Sequence, residues 1–368
     1  MKPGIIIYAN GDSEWIGGVY YARNVLYQLS INKNITSKYN LFAYTNEICK
    51  KSFENIENVK VIVAKGKGKL ELLLAIIKNN IKYRYPGLKD IMGCKAISWI
   101  PDFQQECMSD MFPIEEVAAR KDERNLIIKN NLPLILSSYD SLNSFHEHYK
   151  VDKTNVYVMH FVSYIEPEIR EMSVSMETET LKKFGLKERK YVYIANQFWK
   201  HKNHIIVLKA LQSMNRSNLV FVFTGKMSDY RNPEYIDELK TLFEPLEKAG
   251  IALNLGFIDR MSQLIIMKNA EFLIQPSLFE GWGTVVEDAK VLDKTILLSD
   301  IPVHREQMND KCSLFDPYDE KALASLIIDE AKREHIDDYT KGIKRMNKEA
   351  REYSKHFEYL LNGQEDII

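Results

Sequence analysis

The sequence predicts an α/β protein with two Rossmann-like halves, and three observations carry that prediction. Short apolar, β-branched runs alternate with longer amphipathic segments, as in parallel sheets covered by helices. That alternation breaks off in a polar stretch and then starts again. The length of 368 residues exceeds what one core usually serves and suits two domains of roughly 150–200 residues.

In the first half the strand-like runs are residues 5–9, 59–63, 96–100, 133–137 and 156–159, with helical periodicity over 19–29 and 114–130 between them. The second series has strands at 191–195, 219–224, 251–255, 271–275 and 295–299, and helices at 203–214 and 234–249. Residues 165–188 are charge-rich with no strand signal and read as the connector. The expected domains are therefore residues 1–165 and 189–340. A C-terminal helix over 341–368 is expected to pack back toward the first domain. No repeat period or low-complexity tract interrupts this pattern.

Composition excludes several classes. Lys and Arg number 50 against 51 for Asp and Glu, so net charge supplies no attraction for nucleic acid. The cysteines at 49, 94, 107 and 312 have neither metal-ligand nor redox spacing and read as free thiols of a reducing compartment. The apolar run at 5–9 is too short for a signal-peptide core, and no stretch approaches the ~20 apolar residues of a membrane span. A cytoplasmic protein is the expectation. Residues 60–95 hold nine Lys or Arg and two acids, with Tyr83 and Tyr85 interleaved. Such a run is either a solvated helix face or a surface that rests on anionic lipid at the inner face of a membrane or holds a lipid-linked acceptor.

The segment 275–290, QPSLFEGWGTVVEDAK, carries the most chemistry. A strand ends at Gln275, a Pro-Ser turn follows, and Gly281 and Gly283 flank Trp282 before a helix whose apolar face is Val285, Val286, Ala289 and Leu292. Glycines there let a ligand approach the backbone. The unpaired N–H groups around Gly283 and Thr284 suit an anion such as a diphosphate. Glu280 and Asp288 flank the turn, as acceptors for a donor-sugar hydroxyl and for a ribose. The alternative is a plain strand–turn–helix corner whose acids favour a helix N-terminus.

This segment resembles the E-x7-E signature of family 4 glycosyltransferases, the retaining, group 1 type of GT-B fold, with Glu280 as first acid and Asp288, usually glutamate, as second. Glu287 is the neighbour that competes with Asp288 for the ribose role. The resemblance extends to residues 195–204, where the family carries an arginine and, five residues on, a lysine on the donor diphosphate. Lys202 matches the lysine, while Gln197 stands at the arginine position and brings no charge. It also includes Gly17-Gly18, Trp99 to Gln104, Phe223-Thr224-Gly225, Leu255-Gly256-Phe257 and Ser299 to His304.

The resemblance implies two Rossmann-like domains facing each other across a cleft, and transfer of a sugar with retention of configuration. The donor would be a nucleotide-diphosphate sugar, UDP- or GDP-linked, and the acceptor a hydroxyl of a glycan or lipid-linked glycan. It implies catalytic roles for Glu280, Lys202 and Asp102, the last equally readable as a helix cap. Donor contacts fall to Gly17, Gly18, Gln197, Lys202, Gly225, Phe257, Glu280, Gly281, Trp282, Gly283, Thr284 and Asp288. No cofactor and no metal are expected. His201 and His204 lack a third ligand. Other classes stay open: a non-catalytic sugar-nucleotide-binding subunit, and a GT-B-type epimerase or phosphorylase. A dehydrogenase is disfavoured because no strand leads into a G-x-G-x-x-G turn.

Overall fold

The alternation read from the sequence folds into parallel ladders. The computed structural model describes residues 2–9, 16–66, 68–151, 155–214 and 218–363. The chain divides into two units. One comprises Met1–Ser109, Ile114–Tyr164 and Arg345–Ile368, the other Asp110–Pro113 and Ile165–Lys344.

In the first unit, strands β1 (Gly4–Tyr8), β2 (Asn40–Thr45), β3 (Val59–Val63), β4 (Ile81–Tyr85) and β5 (Lys95–Ala96) pair in the order β3-β2-β1-β4-β5. Strands β6 (Ser98–Ile100), β7 (Leu134–Leu136) and β8 (Val156–Val158) form a second parallel run in chain order. The sequence reading has residues 96–100 as one strand. The structure splits it at Ile97, whose N–H donates to the Arg84 carbonyl, and Ser98 then registers with Leu134 of β7. Strands β2 and β4 carry no expectation from the sequence. In β4, Ile81-Lys-Tyr-Arg-Tyr85, polar residues interrupt the apolar run.

The second unit has one sheet of β9 (Tyr191–Ala195), β10 (Val220–Thr224), β11 (Ala252–Asn254), β12 (Leu273–Gln275), β13 (Ile296–Ser299) and β14 (Cys312–Phe315). Its order is β11-β10-β9-β12-β13-β14, all parallel. Both faces are covered, so β9 is buried at every position. Val192, Ile194, Phe221 and Phe223 pack there with Val207, Leu211 and Leu239 from the flanking helices. Strand order reverses between β9 and β12, which register only at Leu273 and Tyr193. In such sheets ligands bind beyond the carboxyl ends of the strands that flank the reversal.

Residues 165–188 differ from the connector expected. They hold helices Pro167–Arg170 and Val174–Lys183, with Leu181 and Leu186 buried, and Glu177 pairs with Lys268 of the same unit. The C-terminal helix Tyr339–Leu361 contributes Ala350, Tyr353 and Phe357 to buried positions. Within the first unit the Phe357 ring lies 5.6 Å from that of Tyr85, and Glu358 pairs with Lys38 at 3.2 Å. Among the described residues no helix is long and apolar enough to cross a membrane.

Candidate functional site

Two loops leave the carboxyl ends of β9 and β12 on either side of the strand reversal. They carry the two side chains singled out most strongly by the sequence, Lys202 and Glu280. The strand ends are joined by an amide pair. Asn196 Nδ2 donates to Gln275 Oε1 at 2.8 Å, and Gln275 Nε2 returns a bond to Asn196 Oδ1 at 3.2 Å. Gln275 Nε2 also reaches Glu280 Oε1 at 2.8 Å, where Ser277 Oγ donates at 2.7 Å and Lys202 Nζ at 2.6 Å. Glu280 Oε1 thus takes three donors. Oε2 takes none among the described residues.

Burial disfavours the Glu280 carboxylate, but the Lys202 ammonium and its hydrogen bond outweigh it. Together with the nearby His201 they hold the carboxyl down at about 2. Burial, reinforced by Lys202, pushes the neighbouring imidazoles the other way. His201 lies well below its ordinary value and His204 falls to about 3. Both rings are therefore neutral at physiological pH and add no formal charge beside Lys202 and Glu280. His304 is buried too, its Nδ1–H donating to the Ser299 carbonyl at 2.9 Å. Among the described residues no group of three or more His, Cys, Asp or Glu is placed to hold a metal ion.

The glycine turn leads into helix Thr284–Val291 as its pattern predicts. The first intrahelical bond is Glu287 N–H to the Gly283 carbonyl. The N–H groups of Thr284, Val285 and Val286 lie ahead of it and have no helical partner. Gly283 corrects the sequence reading, because its N–H is already donated to Gln307 Oε1 at 3.0 Å. The open donors therefore begin at Thr284. Gly281 and Trp282 are buried, and the Lys290 ammonium stands 5.9 Å over the indole ring.

The second acid is placed differently from expectation. The Asp288 side chain is 1% exposed, and Arg260 grips both its oxygens, at 2.5 and 2.6 Å. Arg260 thereby takes one acceptor site on each oxygen of the acid expected to hold the ribose. Glu287 is engaged through one oxygen, Oε1, by Gln307 Nε2 at 2.9 Å and Lys290 Nζ at 3.0 Å. Arg260 carries no signal in the sequence, since it opens helix Arg260–Asn269 and meets Asp288 only through the fold.

The other expected residues fall as follows. Gln197 Oε1 accepts the Lys226 N–H at 2.7 Å. Gly225 has φ 133°, and a Cβ there would stand 2.2 Å from the Asn196 carbonyl oxygen, so only glycine lets the β10 loop cross the β9 loop. Phe257 is half exposed. In the first unit, Asp102 Oδ1 accepts the Gln104 N–H at 3.0 Å, a local turn bond one residue ahead of the N-cap Phe103. Gly17 and Gly18 lie inside helix Ile16–Ser30, and the loop before them is outside the described residues.

The basic stretch 60–95 also corrects its sequence reading. Tyr85 is fully buried and Arg84 nearly so, and Tyr83 donates to the Leu361 carbonyl. Of the interleaved aromatics, Tyr85 is therefore absent from the surface and Tyr83 only partly on it. What the surface shows is helix Lys69–Lys78, with Leu70, Leu74 and Ile77 exposed along one face. Lys60, Lys65, Lys69, Lys78, Lys82, Lys89 and Lys95 are exposed as well, and Lys67 lies outside the described residues.

The family model described as glycosyl transferases group 1 matches residues 176–356. Among solved structures, Anabaena HepE in complex with UDP and glucose superposes with a TM-score of 0.67 at 15% identity, covering 98% of this chain and all of its own. A glycosyltransferase from Rickettsia africae gives 0.64 at 14%, covering 96% and 94%. WaaG, a glycosyltransferase involved in lipopolysaccharide biosynthesis, gives 0.60 at 12%, covering 96% and 95%. No curated protein matches the chain.

Proposed function

We propose, for a chain that belongs to the group 1 glycosyl transferases and is thus a retaining glycosyltransferase using a nucleotide sugar, that Lys202 and the first turn of helix Thr284–Val291 hold the donor diphosphate. One observation carries this reading. Lys202 and Glu280, 78 residues apart, meet at 2.6 Å beside three open N–H groups at the strand reversal. Glu280 serves as the counter-ion that fixes the ammonium, and its Oε2 is left for a hydroxyl of the donor sugar. As the glycosidic bond to the leaving diphosphate breaks, the sugar passes through an oxocarbenium-like state. The acceptor hydroxyl attacks on the same face and gives its proton to a phosphate oxygen. The protein then needs fixed positive charge where the diphosphate gains negative charge, rather than a strong nucleophile. Glycans and lipid-linked glycans are the acceptor class we favour. The roles of Asp102, Gly17 and Gly18 rest on the family resemblance alone.

UDP is the favoured nucleotide, because the Anabaena relative was solved with UDP and with UDP-glucose. Thermal shifts with UDP, GDP, ADP and their common sugars test this. Ligand at 100 times Kd stabilises the fold by about 2.7 kcal/mol. We expect the largest rise in Tm with UDP and its sugars. No rise with any of the nucleotides would remove the donor-site reading.

A peripheral contact with an anionic membrane surface is the second part of the proposal, favoured by Leu70, Leu74 and Ile77 among exposed lysines. The protein is expected to co-sediment with vesicles containing phosphatidylglycerol at low salt, and Leu74→Glu to reduce the bound fraction severalfold. Equal sedimentation of the two proteins, or none with either, would discard the contact.

A further inference from the structure

We propose that Arg231 is a second cation on the donor diphosphate, taking the part for which Gln197 has no charge. The inference rests on the nucleotide-sugar reading above and deepens it. A single ammonium, with one of its donors held by Glu280, is a small set of charged hydrogen-bond donors for the oxygens of a diphosphate. Another cation on the same edge of the sheet is needed, with hydrogen-bond donors that the fold has not already engaged.

Arg231 meets both conditions. It lies in the loop after β10, the neighbour of β9, and its side chain is 8% exposed. Asp229, fully buried, ties this loop to the one carrying Lys202. Its Oδ2 accepts the Lys200 N–H at 3.0 Å and Asn232 Nδ2 at 3.2 Å, while Oδ1 accepts the Arg231 N–H at 3.0 Å and Nε at 3.3 Å. The guanidinium carbon stands 5.1 Å from the centroid of the Trp199 ring and 4.6 Å from that of Phe112. Trp199 in turn meets the ring of His201, the residue before Lys202, at 5.6 Å between centroids. The charges of Lys202, Glu280 and Arg231 all act on that imidazole.

A guanidinium has five N–H donors in a rigid fork. Asp229 uses the one on Nε, and the two terminal nitrogens have no acceptor among the described residues. Stacking and the Asp229 bond fix the plane of the fork in advance, so little side-chain freedom is lost when it closes on phosphate oxygens. Arg124 differs, since its terminal nitrogens are spent on Glu106, Gln105 and the Asp102 carbonyl.

The test measures equilibrium binding of UDP and of uridine to the full chain, with Arg231→Ala, Arg231→Gln and Arg231→Lys compared at equal salt. A lost charge-assisted contact is expected to weaken UDP about 10- to 100-fold. Uridine, which lacks the diphosphate, should bind all four proteins within about twofold of one another, and Arg231→Lys should recover only part of the UDP affinity. Arg231→Gln keeps a planar group in the stack should Arg231→Ala fail to fold. UDP binding unchanged in the variants, or UDP and uridine weakened together, overturns the assignment. If the wild-type protein binds no nucleoside diphosphate, the donor site itself falls, and that outcome is separate from both.

Discussion

Replacing Lys202 with alanine is expected to lower kcat about 10²–10³-fold, the usual cost of removing one preorganised electrostatic donor from a developing anion. The structure adds a smaller effect on stability. Lys202 and Glu280 are 15% and 10% exposed, so deleting the ammonium leaves a largely buried carboxylate with only Gln275 and Ser277 as donors. Breaking a fully buried pair costs about 3–5 kcal/mol, and residual solvent access together with the two remaining donors places this case at or below that range. Steady-state transfer assays and thermal melts on the same preparation separate the two effects. Near wild-type kcat in a folded variant would remove Lys202 from the diphosphate.

Glu280→Gln should act on both transfer and pH dependence. The amide keeps the shape but loses the charge that fixes Lys202 and the strong acceptor proposed for a sugar hydroxyl. Hydrogen bonds to charged groups are worth about 1.5–3 kcal/mol, so a fall of about 10- to 100-fold in kcat/KM is expected. The carboxyl titrates at about 2 in the folded chain against an ordinary value of 4.5. A group depressed in the folded state contributes stability above its unfolded value and loses it as pH falls through the folded one. Wild-type stability should therefore fall between about pH 4.5 and 2, and Glu280→Gln should flatten that part of the curve. Urea melts across this range check it. Identical pH profiles would mean that the Lys202 pair contributes nothing to folding.

The sequence made the site legible where chemistry is written in local spacing. The strand–turn–helix around Gly281 and Gly283, and Lys202 after the first strand of the second half, needed no knowledge of distant neighbours. What the sequence hid depends on which strands lie side by side. Gln307 closes the Gly283 N–H, and Arg260 occupies Asp288. Both meet their partners across more than twenty residues, so no periodicity marks them. The same holds for Gln275, a buried polar residue that looks like an ordinary strand end until its amide is seen holding Asn196 and Glu280. Among the strands, β4 escaped because Lys82 and Arg84 sit among its tyrosines and read as surface charge, although Arg84 is in fact buried. The helices at 167–183 escaped for the related reason that their few apolar anchors, such as Leu181, are diluted by charge.

The C-terminal helix has a consequence for the order in which the protein is made. Residues from Arg345 onward belong to the first unit, whose other segments are complete by Tyr164. They include Ala350, Tyr353 and Phe357, which are buried in the finished structure. Domains generally mature as units in the order of synthesis, but here the first unit to emerge from the ribosome lacks part of its interior until the whole second unit has been translated. The second unit can close first, and a nascent chain paused before residue 345 would hold that unit complete while the first still lacks its last segment.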